Sequence, residues 1–269
     1  MTGAATPLVD THCHLVLLEE QGFLDAALEG AAAADVAAII SVGLNVEDSD
    51  RNRVIAEEHD NVWFTVGWHP HERQAPDGAQ LRALGELLAH PRAVAVGEVG
   101  IDLLVRPGYS DTPLAEQQRA MRTMLELASA HGKPAVVHDR DAHREVLAVI
   151  REFPTVVGVM HCFSGDAAFA AQCVSAGYVI SFSGIVTFPR SEPQQMAASA
   201  VAGDRYVVET DSPFLAPVPH RGRTNLPGYV AATAAAVAAL RGEDVDTVRL
   251  DTTRTARRLF GLPGNHREQ

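Results

Sequence analysis

The sequence predicts a single-domain (β/α)8 barrel of the α/β class, and three observations lead there. Eight short runs rich in Val, Ile and Ala alternate with longer segments of helical period. No Pro/Gly/Ser-rich linker or internal repeat divides the 269 residues, a length that one aliphatic-cored domain accommodates. Finally, the histidines and acids suited to chemistry follow the apolar runs, as they do on the active-site face of such barrels.

The predicted strands, in order, are Leu8–Asp10, Val36–Val42, Val62–Val66, Ala93–Gly97, Ala135–Val137, Val156–Met160, Tyr178–Ser181 and Arg205–Val208. Their near-continuous aliphatic character suits parallel strands covered on both faces. Helices are expected at Gly22–Ala34, Asp48–Glu58, Gln80–His90, Leu114–His131, Ala142–Glu152, Ala167–Ala176 and Pro193–Ala200, each with Ala, Glu or Arg at helical spacing. After the eighth strand, Pro213–Gly228 lacks periodicity and reads as a loop over the barrel top. Two further helices, Tyr229–Leu240 and Asp244–Leu259, follow it. A doubly wound open sheet is the competing fold, and eight βα units weigh against it.

The formal charge of -12 argues against a surface coated for nonspecific nucleic-acid binding, while leaving room for a local cationic pocket. Three scattered cysteines, Cys13, Cys162 and Cys173, read as reduced thiols of a cytoplasmic protein. No signal peptide, membrane-spanning run or mark of an obligate protein partner is visible.

In Asp10-Thr11-His12-Cys13-His14, alternation along a strand puts both histidines on one face with Asp10 below them. Further on, His69 and His71 follow the third strand, Glu98 the fourth, His138 the fifth, His161 the sixth and Asp211 the eighth, so all these groups are expected at C-terminal strand ends. Setting aside His69 and His71, four imidazoles and two carboxylates are too many for a closed structural zinc site, but enough for two divalent ions sharing a bridge. Glu98 is the natural bridge. With Glu98, Asp211 and a hydroxide set against two ions, the expected local charge is about plus one. The only lysine, Lys133, lies five residues before His138, roughly 16 Å away along an extended strand, so a carbamylated-lysine bridge is disfavoured. An ordinary salt bridge from Glu98 to Arg92 or Arg106 is the competing use of that carboxylate.

Six segments resemble, in order, those of the TatD family of metal-dependent deoxyribonucleases: Val9-Asp10-Thr11-His12-Cys13-His14, Gly67-Trp68-His69-Pro70-His71, Gly97-Glu98-Val99-Gly100-Ile101-Asp102, Val137-His138-Asp139-Arg140-Asp141-Ala142, Met160-His161-Cys162-Phe163-Ser164-Gly165 and Glu209-Thr210-Asp211-Ser212-Pro213-Phe214-Leu215. The loop carrying His220, Arg221, Arg223 and Asn225 resembles the family's as well. The resemblance implies one metal on His12, His14, Glu98 and Asp211 and another on Glu98, His138 and His161. It also implies that Asp211 orients or deprotonates the attacking water, and that nucleotides leave from a DNA 3′ end. Asp139 stands where the family commonly has serine, adding a negative charge near the entrance.

Substrate contacts are expected from His69 and His71, or at least from His71, and from Arg221, Arg223 and Asn225. The bland alternatives are a rigid turn around Pro70 and solvated loop charges. The histidines suit zinc or manganese, and the carboxylates leave magnesium open. Two other functions fit the same residues: hydrolysis of an amide, lactone or ester, including an aminoacyl ester, and non-enzymatic metal binding.

Overall fold

The computed structural model describes residues 6–104 and 111–263; Arg106 lies outside them. Eight parallel strands follow one another in sequence order: β1 (Leu8–Cys13), β2 (Val36–Ser41), β3 (Val62–Val66), β4 (Ala93–Asp102), β5 (Ala135–Arg140), β6 (Gly158–Met160), β7 (Tyr178–Phe182) and β8 (Tyr206–Val208). Helices α1 (Leu15–Glu20), α2 (Leu24–Ala33), α3 (Val46–Glu58), α4 (Gly78–Leu88), α5 (Leu114–His131), α6 (His143–Arg151), α7 (Ala167–Ser175) and α8 (Glu192–Ala200) connect them, and α9 (Val230–Arg241) and α10 (Val245–Phe260) follow β8. The barrel closes between β8 and β1, where Thr11 Oγ1 donates to Val208 O and the Asp211 N–H to His12 O.

Strand alternation sorts the core into two clusters. Ala38, Ile40, Val136, Val159, Val179 and Val207 form one with Phe260 and Leu262 at the end of α10. Their strand neighbours, including Ile39, Val137, Ile180 and Val208, join the larger cluster with the helices, to which α5 contributes Met121, Met124 and Leu125. Burying each large aliphatic side chain contributes on the order of 1.5–3 kcal/mol.

Every predicted strand and helix is present, with ends moved by a few residues. The sequence reading missed α1: its Leu15-Val16-Leu17-Leu18 start is too short and too uniformly apolar to show helical period, and no side chain caps it at His14. Strands β1, β4 and β5 also run further than expected. Glu98 therefore lies inside β4, four residues before its end, and His138 lies inside β5, two before its end. The extension holds because Val99–Asp102 pair in register with Val137–Arg140 after a shift in the ladder. Gly100 permits it: a Cβ there would come within 2.0 Å of His138 O, and its φ of +154° suits glycine.

Candidate metal centre

Backbone pairing at the barrel seam assembles the first part of the centre. The Asp211 N–H donates to His12 O at 2.9 Å and the His14 N–H to Ser212 O at 2.8 Å, so the end of β1 and the segment after β8 run side by side. Asp211 adopts a φ of +59°, a region that Asp tolerates better than most residues. Its Oδ1 then lies 3.7 Å from His12 Nε2 and 3.4 Å from His14 Nε2. Asp10 does not join them, because its carboxylate accepts from Thr210 N and Oγ1 at 2.8 and 2.6 Å.

Glu98 sits between two sets of imidazoles and turns one oxygen to each. Its Oε1 is 2.6 Å from His138 Nδ1, 2.9 Å from His161 Nε2 and 3.6 Å from His69 Nε2. Its Oε2 faces His12 Nε2 at 3.5 Å and His14 Nε2 at 3.9 Å. Arg92 offers it no salt bridge, being engaged with Asp60 and the carbonyls of His59, Asp60 and Val62. Lys133 Nζ donates to Ala93 O at the start of β4, at the opposite end of that strand from its catalytic-face residues.

These contacts set the charges. Burial favours a neutral Glu98, yet the surrounding imidazoles, His161 foremost, hold its carboxyl well below the usual range. Burial works against a charged His138, but hydrogen bonds to Asp102 and Glu98 outweigh it and push the imidazole up to about 9. His161 is raised in the same way by Glu98 and Glu209. Burial also disfavours ionised Asp211, and the hydrogen bond from His14 more than offsets it. His69, dominated by burial, is pushed down to about 4 and stays neutral. Its Nδ1 accepts from the His71 N–H at 3.2 Å, which leaves the proton on Nε2, facing Glu98. His69 therefore presents a donor to the cluster.

The donor set fits divalent ions. His12 is fully buried, and neither of its ring nitrogens has a hydrogen-bond partner among the described residues, a costly state that a bound cation relieves. His12, His14 and Asp211 bring ligand atoms within 4.8 Å of one another, as do His69, Glu98 and His138, and His12, His161 and Glu209. The family model described as TatD related DNase matches residues 9–261. The chain belongs to the TatD family. A protein named uncharacterized metal-dependent hydrolase YcfH, from Escherichia coli K12, is 38% identical over 260 residues, covering 95% of this chain and 96% of its own. A Klebsiella pneumoniae relative named 3′-5′ ssDNA/RNA exonuclease TatD is 31% identical over 248 residues, covering 90% and 93%. Among solved structures, the TatD homologue YjjV from Escherichia coli superposes with a TM-score of 0.88 at 28% identity, covering 95% of this chain and 98% of that one. As a member of this family, the chain is a metal-dependent hydrolase acting on ester bonds.

Around this TatD centre, His71 is partly exposed and its Nε2 lies 3.0 Å from Asp102 Oδ2. Arg221 and Arg223 are exposed on the loop after β8, the former over the Phe188 ring at 4.0 Å and donating to Ala216 O. Asn225 departs from its expected role. It is fully buried, and its amide donates to Thr210 O and Phe214 O at 2.8 and 2.6 Å, so it braces the loop instead of facing a substrate. Asp139 is also turned away from the entrance: it accepts from the Ala142 N–H and contacts His143 Nδ1 at 2.8 Å.

Sequence reasoning assigned no role to three groups that the fold brings to the rim or the outer shell. Asp102 and Glu209 lie behind His138 and His161, and Arg140 ends β5 exposed, two residues beyond His138. Two-residue spacing along a strand could have flagged Arg140. The two acids were visible only as motif members. Counting them as carboxylates beside Glu98, Asp211 and the hydroxide sets five negative charges against the four positive charges of two divalent ions, so the local charge is about minus one instead of the expected plus one.

Proposed function

We propose that this TatD-family hydrolase cleaves phosphodiester bonds of DNA, removing nucleotides from a single-stranded 3′ end in the cytoplasm, with two divalent ions of the zinc, manganese or magnesium kind. The observation that carries the proposal is the division of Glu98. One carboxylate oxygen faces His138 and His161, and the other faces His12 and His14, which Asp211 also approaches. A bridging carboxylate between two ions calls for this arrangement. His12, His14, Asp211 and Glu98 would hold one ion, and Glu98, His138 and His161 the other. When bound, such ions polarise phosphoryl oxygens and lower the pKa of water.

The protein's own groups supply the rest. Asp211, kept ionised by its His14 contact, accepts the proton of the attacking water and orients it toward phosphorus. Neutral His69, through its Nε2–H, would donate to a phosphoryl or leaving oxygen, and His71 stands beside it with ring centroids 4.4 Å apart and Nε2 on Asp102. Arg140, Arg221 and Arg223 suit the phosphates that flank the scissile one. Phe214, half-exposed and edge-on to the His14 ring at 5.9 Å, offers an apolar face for a terminal base.

The test is turnover by chelated protein after restoration of manganese, magnesium or zinc. Its substrates are 5′-labelled single-stranded DNA, the same sequence as RNA, and a panel of amides, esters and lactones. The expected product is a ladder shortening from the 3′ end. Metal-dependent turnover of an ester or lactone with intact DNA would overturn the proposal, as would the absence of hydrolysis with any restored metal.

A further inference from the structure

The four imidazoles of the centre are not supported alike. His12 and His14 turn Nε2 inward, and among the described residues Nδ1 of each is buried without a hydrogen-bond partner. His138 and His161 each rest their outward nitrogen on a buried carboxylate. For His138 the inward atom is Nδ1, 2.6 Å from Glu98, while Nε2 meets Asp102 Oδ2 at 3.0 Å. For His161 the pattern is reversed: Nε2 is inward at 2.9 Å, and Nδ1 meets Glu209 Oε1 at 3.2 Å. The nitrogen facing Glu98 differs between the two rings, yet each time it is the one opposite the outer carboxylate.

Both carboxylates are themselves fixed. Glu209 is fully buried at the end of β8 and accepts from the Cys162 N–H at 2.7 Å and from Ser181 Oγ. Asp102 is buried at the end of β4, where Oδ1 accepts from the Leu104 N–H at 2.9 Å and Gln117 donates to its backbone carbonyl at 3.0 Å. Oxygen Oδ2 of Asp102 also contacts His71 Nε2 at 3.0 Å.

We infer that Asp102 and Glu209 are positioning residues that fix opposite tautomers of His138 and His161, each leaving the nitrogen beside Glu98 bare for an ion, and that Asp102 ties His138 to the entrance histidine His71. The inference rests on the proposed assignment of an ion to Glu98, His138 and His161. An anionic acceptor on one ring nitrogen requires N–H there, which frees the lone pair of the other and makes it more basic. Losing such an outer partner costs about 10–100-fold in metal affinity. The same carboxylate oxygen meets both rings, so displacing His71 at the mouth shifts the support of a ligand deeper in.

The test uses cobalt(II) as probe on chelated full-length protein. Wild type, Asp102→Asn, Asp102→Ala and Glu209→Gln are titrated with it in competition with a chelator, and the visible absorption of the bound ion is recorded. Thermal midpoints of the metal-free proteins report the fold separately. The expected result is two ions on wild type and a 10–100-fold weaker affinity for one of them in Asp102→Ala and Glu209→Gln. Asp102→Asn keeps an acceptor without the charge and falls between. The absorption bands change while the metal-free midpoints stay close to wild type.

Wild-type affinities and bands in all three variants would overturn the positioning roles and leave the two-ion proposal standing. So would affinities that fall only in step with the metal-free midpoints. A wild type holding a single ion whose affinity still depends on Asp102 and Glu209 would support the positioning roles and sink the two-ion proposal. A single ion indifferent to both residues would sink both.

Discussion

Raising the pH should weaken the metal-free protein while sparing the metal-loaded one. His138 has an ordinary pKa of 6.5 and stands at about 9 in the fold, where burial is outweighed by Asp102 and Glu98. A group whose folded pKa is raised contributes stability that is fully present below its unfolded value and is lost as pH climbs through the folded one. For His138 that window runs from 6.5 to about 9. At about 1.4 kcal/mol per pH unit it amounts to roughly 3 kcal/mol. His161 and His14, also raised by neighbouring carboxylates, act in the same direction. For a chain of this size, about 2–4 °C per kcal/mol turns the His138 share into a midpoint lower by roughly 6–12 °C. The assay is thermal unfolding across that window, with chelator and with restored metal. An ion takes the place of the proton on the inward nitrogen, so the loaded protein should not show this loss. His138→Gln, measured metal-free, should flatten the pH dependence. A chelated wild type as stable at the top of the window as at its bottom would refute the paired-carboxylate account of His138.

Two further outcomes concern the proposed bridge and base. Glu98→Gln should lower bound metal from about two ions per chain to about one by elemental analysis, because a neutral amide bridges two cations poorly; two tightly held ions would remove Glu98 from that role. Asp211→Asn should keep the fold and bind some metal yet lose about 10²–10⁴-fold in kcat on DNA, the range of a general base, and full activity on every wild-type substrate would show that Asp211 moves no proton.

The barrel was legible because strand burial on both faces writes itself into runs such as Val36–Val42 and Val62–Val66, and helical period into Leu114–His131. What escaped was local. α1 has no capping side chain to announce it, and β4 carries its pairing through Glu98 to Asp102 by means of a glycine in a conformation that sequence period does not report. At the candidate centre, His14, His161 and Asp211 follow strands, while His12, Glu98 and His138 lie in the C-terminal halves of strands that run on past the apolar runs, so the apolar runs alone were enough to point to the shared end of the barrel. Asp102 and Glu209 act through partners 36 and 48 residues away in sequence, and only three-dimensional proximity joins them to His138 and His161. Asn225 erred in the other direction. A polar residue in a Pro- and Gly-rich loop reads as solvent-facing, but a long uncapped loop needs donors for its own carbonyls, and Thr210 and Phe214 take both amide hydrogens.

The two outer carboxylates also change how a polyanion would reach the proposed centre. With only Glu98 and Asp211 counted, two divalent ions leave an attractive excess of positive charge; with Asp102 and Glu209 included, that excess is gone. The chain as a whole carries -12 and repels phosphate at long range. Among the described residues, attraction at the mouth then comes from exposed arginines such as Arg140 at the end of β5 and Arg221 and Arg223 on the loop after β8. A few such cations can neutralise a few phosphates, too few for a long electrostatic track along a duplex. On the proposed function, affinity must come from several short-range contacts made together at one place: an arginine on a flanking phosphate, the Phe214 ring on a base, and the ions on the scissile group. A strand terminus, free to bend into the barrel mouth, meets all of them without having to thread past the acidic exterior, which is why the charge distribution favours an end over an internal site.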